Sequence, residues 1–288
     1  MPTDHAQLAF VFAGGGSLGA IEVGMLAALV RTGVAPDLVV GASVGAINAV
    51  YFAGDPSARG VERLADVWRG IRREDVFPLS GTRGALALLG HASSLVDPTR
   101  LRRLLERKLP LAQLDQCLLP AHVIATDFAS GAEVVLSKGS AVDALMASTA
   151  IPAVFPAARV DGRDLVDGGV ANNTPLSAAV ELGARRVIVL PTGFSCQLGS
   201  APHSPLAAAL HTLNLLISKQ VLTDVQRLRA DVEIHVAPPL CPLSRAAYDF
   251  SGTDELMARA ERSTRDWIES GGLERSELPL ELGPHRHG

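Results

Sequence analysis

Apolar residues fall along this chain in short blocks with two different spacings. Residues 8–13 (LAFVFA) are an unbroken apolar run that stops at three glycines, the pattern of a strand buried on both faces. Residues 20–30 then mix small and apolar side chains with a single acid, Glu22, as a helix would. A second short strand is predicted over 37–40 and a second, strongly apolar helix over 46–52. Strand, glycine turn and helix, repeated at once, predict a parallel α/β sheet.

The pattern changes over residues 55–115, which are richer in charge. Their segment 100–108 (RLRRLLERK) has the spacing of an amphipathic helix, and the region reads as one or two helices inserted between core strands. Strands are predicted at 118–127, 133–136, 186–190 (RVIVL) and 232–236, with a short strand ending at Val166 after an Asp161-Gly162 turn. Helices are predicted at 142–146, 175–182, 205–229 and 253–270. The polar tail 271–288 is expected to fray. With no linker or repeat in view, the chain is read as one domain over 1–288, a three-layer α/β/α architecture around a mainly parallel sheet.

Composition narrows the function. The chain has 288 residues, 48% hydrophobic and 19% charged, a folded globular balance. A net charge of -4 and 4% aromatic content argue against a nucleic-acid partner. Cys117, Cys196 and Cys241 are widely spaced, with no disulfide framework and no zinc signature, so no metal is expected. No signal-peptide pattern opens the chain, and no apolar run reaches the roughly 18–20 residues that span a bilayer. A cytoplasmic protein that touches membranes from outside is the expectation.

Three motifs carry candidate chemistry. Gly41-Ala42-Ser43-Val44-Gly45 lies between a strand and a helix, where small flanking residues permit the tight turn that exposes a nucleophilic serine at a helix N-terminus. Alone, it could be an N-capping serine in a glycine turn. Gly14-Gly15-Gly16-Ser17-Leu18-Gly19 offers inward-turned backbone N–H groups, able to hold an oxyanion or a phosphate. The same glycines could mark a dinucleotide fold, but Asp37 opens its strand instead of ending it. Asp167-Gly168-Gly169 would by itself be an ordinary turn; beside Ser43, its carboxylate could take the serine proton if burial raised its pKa.

Together these segments resemble the patatin-like phospholipase family: a glycine-rich segment, then G-x-S-x-G, then D-G-G, in that order. Ala125-Thr126-Asp127 and the run from Ala147 through Phe155-Pro156 to Asn173-Thr174-Pro175 strengthen the resemblance, which spans residues 7–190. It implies Ser43 as nucleophile, Asp167 as general base and Gly14, Gly15 and Gly16 as the oxyanion hole, with Gly19, Gly41, Gly45, Gly168 and Gly169 supporting the turns. It implies no cofactor, and as partner a lipid ester, phospholipid or lysophospholipid, at a membrane or micelle surface. Leu18 stands where the family usually has a basic residue. A non-catalytic lipid- or partner-binding protein on the same fold is the alternative.

Other residues invite roles. His122, His211 and His235 could be argued as bases; His5, His285 and His287 lie in the termini. Asp127 could support the site or form a turn, and Asn48 reads as a helix-surface residue. Residues 100–108 could attract anionic head groups, and residues 85–89 with Leu95 and Val96 could line an acyl entrance.

Overall fold

A computed structural model describes residues 7–78, 94–193 and 220–282, together with 208 and 212. The candidate entrance at 85–89, most of the predicted helix 205–229, Cys196, His5, His211, His285 and His287 lie outside the described residues.

The sheet runs in the order β5-β6-β3-β2-β1-β7-β8, with β4 pairing on β3. Its strands are β1 (Leu8–Phe12), β2 (Leu38–Ala42), β3 (Ala121–Asp127), β4 (Glu133–Leu136), β5 (Ala158–Val160), β6 (Arg163–Asp167), β7 (Arg186–Leu190) and β8 (Glu233–Val236). The β3-β2-β1-β7-β8 portion is parallel; β4, β5 and β6 join antiparallel. This is a mixed α/β fold with a mostly parallel sheet.

Alternation on the first two strands explains their unbroken apolar runs. Leu8, Phe10, Phe12 and Val39 enter one core, while Ala9, Val11, Leu38 and Val40 enter another on the opposite face. The first core is roofed by α1 (Gly19–Arg31), α2 (Val44–Gly54), α3 (Ala58–Gly70), α5 (Thr99–Lys108), α6 (Ala141–Ser148) and α9 (Thr253–Glu269). The second is covered by α8 (Leu176–Glu181), helical residues 220–228 and Leu282. The short helices α4 (Arg73–Val76) and α7 (Gly169–Asn172) complete the described helices. Among the described residues, no helix is long and apolar enough to cross a membrane.

The charged region 55–115 contains three described helices, α3, α4 and α5, where one or two were expected. The amphipathic reading of 100–108 becomes α5, which buries Leu101, Leu104 and Leu105 and leaves its basic face outward.

Register places the chemistry. Ala42 on β2 pairs with Ile124, and the next residue on β3, Ala125, pairs with Asp167 on β6. Ser43, one step beyond Ala42, therefore arrives at the same level of the sheet as Asp167, at the carboxyl ends of the parallel strands.

Candidate active site

The turn from β2 into α2 holds Ser43 at φ 54° and ψ −127°, a left-handed backbone rare for a residue with a side chain. The flanking glycines let the chain make it. A Cβ on Gly45 would sit 2.5 Å from the Phe12 carbonyl oxygen, and one on Gly41 would meet the Gly45 carbonyl at 2.5 Å. Ser148 pins the strained turn: its Oγ accepts from the Ser43 N–H at 2.9 Å and donates to the Ile124 carbonyl at 2.5 Å.

The Ser43 hydroxyl donates to Asp167 Oδ2 at 2.7 Å. Ser43 is 8% exposed and Asp167 7%. The other carboxylate oxygen, Oδ1, accepts from the Gly169 N–H at 2.7 Å, and Thr126 Oγ1 donates to the Asp167 carbonyl at 2.8 Å. Burial pushes the Asp167 carboxyl up to about 6, against the lowering effect of the bonds from Ser43 and Gly169. A carboxylate at that level can accept a proton near neutral pH.

The glycine-rich segment follows β1 on the adjacent strand. The Gly14 N–H is spent on the Asn173 carbonyl at 3.0 Å, and the Gly14 carbonyl accepts from Thr192 Oγ1 (2.8 Å) and Asn173 Nδ2 (3.1 Å). Gly14 is thus an anchor, and the N–H groups of Gly15 and Gly16 have no acceptor among the described residues. Gly16 adopts φ 59° and lines the same cavity as Ser43. Ser17 fastens the segment to residues 246–247, its N–H donating to the Ala247 carbonyl at 2.7 Å and its Oγ to the Ala246 carbonyl at 3.2 Å. Gly19 opens α1 where a Cβ would lie 2.6 Å from Val44 Cγ2. Gly168 donates to the Ser148 carbonyl at 3.1 Å.

From Ser43 an apolar cavity runs between Val44, Ile47 and Tyr51 of α2, Leu64 and Trp68 of α3, and Leu101, Leu104 and Leu105 of α5. Its aromatic walls are packed: Trp68 stacks on Phe250 at 6.4 Å and Phe77 on Phe155 at 5.8 Å. Its volume is about 80 Å³.

One sequence expectation is overturned. Asn48 is not on a helix surface: it is fully buried and bonded to Gly19, Glu22 and Trp68. Asp127 forms a turn, accepting from the N–H groups of Ala129 and Ser130. His122 bonds Ser137 and His235 bonds Glu233, and neither touches Ser43 or Asp167. Val96 is core and Leu95 packs against it. Among the described residues, no three His, Cys, Asp or Glu side chains gather to hold a metal. Ser148, Thr126, Asn173 and Thr192 also hold the site together, and in the sequence only their place in or near the motif blocks hints at them.

A family model described as patatin-like phospholipase matches residues 10–180. Patatin-like phospholipase domain-containing protein 6 of Homo sapiens is 30% identical over 188 residues, covering 65% of this chain and 13% of that protein. Patatin-like phospholipase domain-containing protein 7 of Rattus norvegicus is 30% identical over 295 residues, covering 93% of this chain and 21% of that protein. Both relatives are several times longer than this chain. Among solved structures, human GIVD cytosolic phospholipase A2 in complex with methyl gamma-linolenyl fluorophosphonate and terbium chloride superposes with a TM-score of 0.49 at 12% identity, covering 96% of this chain and 60% of that one.

Proposed function

We propose, from the premise that this chain belongs to the patatin-like phospholipase family, that it is a serine hydrolase of lipid acyl esters working through Ser43 and Asp167. One observation carries the reading: the 2.7 Å bond between Ser43 Oγ and a buried Asp167, with Ser43 lining an apolar cavity.

In this mechanism the acyl chain lies in the cavity and brings its ester carbonyl to Ser43. Asp167 Oδ2 takes the hydroxyl proton as Oγ attacks the carbonyl carbon. The charge that develops on the carbonyl oxygen is met by the N–H groups of Gly15 and Gly16 and by the positive N-terminus of α2. Asp167 returns the proton to the departing alcohol, leaving an acyl-serine. Water then enters, loses a proton to Asp167 and attacks the acyl carbon; the bond from that carbon to Ser43 Oγ breaks, Asp167 returns the proton to Oγ, and the fatty acid is released. Gly169 steadies the carboxylate from its far side throughout. The whole chain acts as one hydrolase domain, and its substrate is a phospholipid or lysophospholipid presented at a membrane or micelle surface.

Fatty-acid release from phosphatidylcholine and lysophosphatidylcholine vesicles, compared between wild type and Ser43→Ala, tests the reading. Release that depends on Ser43 supports it. Equal release by Ser43→Ala, or none by folded wild type on lipids and on p-nitrophenyl octanoate, would favour the non-catalytic alternative.

A further inference from the structure

We propose that Glu22 is a positioning residue for this reaction, acting through Asn48 to hold the glycine-rich segment, the Ser43 helix and the cavity wall in one fixed arrangement. The inference rests on the reading of Ser43 as nucleophile and extends it to three residues that never meet the substrate's ester.

Glu22 lies on α1, less than one turn after Gly19, and has no exposed surface. Asn48 lies on α2, five positions after Ser43, and is equally buried. Asn48 Nδ2 donates one proton to Glu22 Oε2 at 2.7 Å and the other to the Gly19 carbonyl at 2.9 Å, while its Oδ1 accepts from Trp68 Nε1 at 2.9 Å. Every polar site on the Asn48 amide is thus engaged, each toward a different part of the site. Gly19 closes the glycine-rich segment, Asn48 rides on the helix that Ser43 opens, and the Trp68 ring forms the cavity wall. An amide rotated by 180° would set its oxygen against the Gly19 carbonyl and its NH₂ against the indole N–H, so the arrangement has one state.

Glu22 Oε1 has no partner, an unusual condition for a buried carboxyl oxygen. Burial raises the carboxyl well above the ordinary carboxylate range, against the Asn48 amide and the Ala13 backbone. Charged side chains of α1, α3 and α9 form ion pairs of their own: Arg31 with Glu261, Arg63 with Asp55, Arg69 with Asp66 and Asp254, and Arg259 with Glu255. On its other side Glu22 Oε2 receives the Asn48 amide. What it supplies is an acceptor, which an amide supplies equally well.

The test compares Glu22→Gln and Glu22→Leu with wild type and Ser43→Ala, using p-nitrophenyl octanoate turnover, melting temperature and the rate of fluorophosphonate labelling. Glu22→Gln keeps the acceptor and is expected to stay within about threefold of wild type in kcat. Glu22→Leu keeps most of the volume but removes the acceptor. In its folded fraction kcat is expected to fall at least thirtyfold, with KM changed less than threefold and labelling slowed in parallel. Glu22→Met replaces it if the leucine variant does not fold. A folded Glu22→Leu or Glu22→Met with wild-type kcat overturns the inference, as does a folded Glu22→Gln that is inactive. Turnover that survives Ser43→Ala overturns instead the reading of the site itself.

Discussion

The Asp167→Asn variant is expected to be inactive yet more stable than wild type, and the gain is expected to depend on pH. In the folded protein burial holds this carboxyl at about 6, against 3.8 for a solvated aspartate. Below pH 3.8 the group is neutral whether the chain is folded or not, and the fold carries no penalty. Between 3.8 and 6 the unfolded chain ionises while the folded one keeps its proton. Above 6 both are ionised, and the folded state bears the full cost, about 3 kcal/mol for a gap of this size. Asparagine never ionises. Its Oδ1 can still accept the Gly169 N–H, and its Nδ2 can donate to Ser43 Oγ, so both bonds of the carboxylate have replacements. The melting temperatures should nearly coincide at pH 4 and separate by about 5–10 °C above pH 7. Scanning calorimetry of both proteins between pH 4 and 8, with ester hydrolysis measured alongside, provides the comparison. A difference that does not change with pH, or an asparagine variant that is less stable at pH 7, would refute the reasoning. In the proposed mechanism this is a trade of stability for reactivity.

Three further outcomes follow from the geometry. The kcat/KM of wild type should fall about tenfold per pH unit below pH 6, because Asp167 must be ionised to accept the serine proton; an acid limb centred above pH 7 would point to another base. Gly15→Ala places a Cβ 2.6 Å from Thr192 Cβ, so the segment must shift its N–H donors, and kcat should drop by about 10²–10³ in a protein that still folds by circular dichroism. Ser148→Ala removes the acceptor for the Ser43 N–H and the donor to Ile124; denaturant melts should show a loss of about 1–3 kcal/mol, with hydrolysis reduced as the strained turn relaxes.

How much of this was legible in the sequence depended on how local the signal was. The apolar runs of β1 and β2 could be read directly, because both faces of those strands are buried and no alternation interrupts them. The G-x-S-x-G and D-G-G segments could be read because the turns they make constrain several neighbouring residues at once. Contacts made by single polar side chains were not legible. Ser148 reaches Ser43 across 105 positions, and Thr192 reaches Gly14 across 178; neither separation leaves a pattern. Asn48 was misread for the same reason: one amide in an apolar helix looks like the exposed edge until α1 and α3 pack around it. The register of β3 against β2 and β6, which brings Ser43 level with Asp167, belongs to the assembled sheet alone.

Fluorophosphonate labelling with peptide mapping, run on wild type, Ser43→Ala and Asp167→Asn, tests the proposed chemistry most directly. The account predicts one adduct in the wild type, on the peptide carrying Ser43, a markedly slower adduct at the same residue in Asp167→Asn, and none in Ser43→Ala. Labelling of a different residue, or an Asp167→Asn rate equal to wild type, would contradict it.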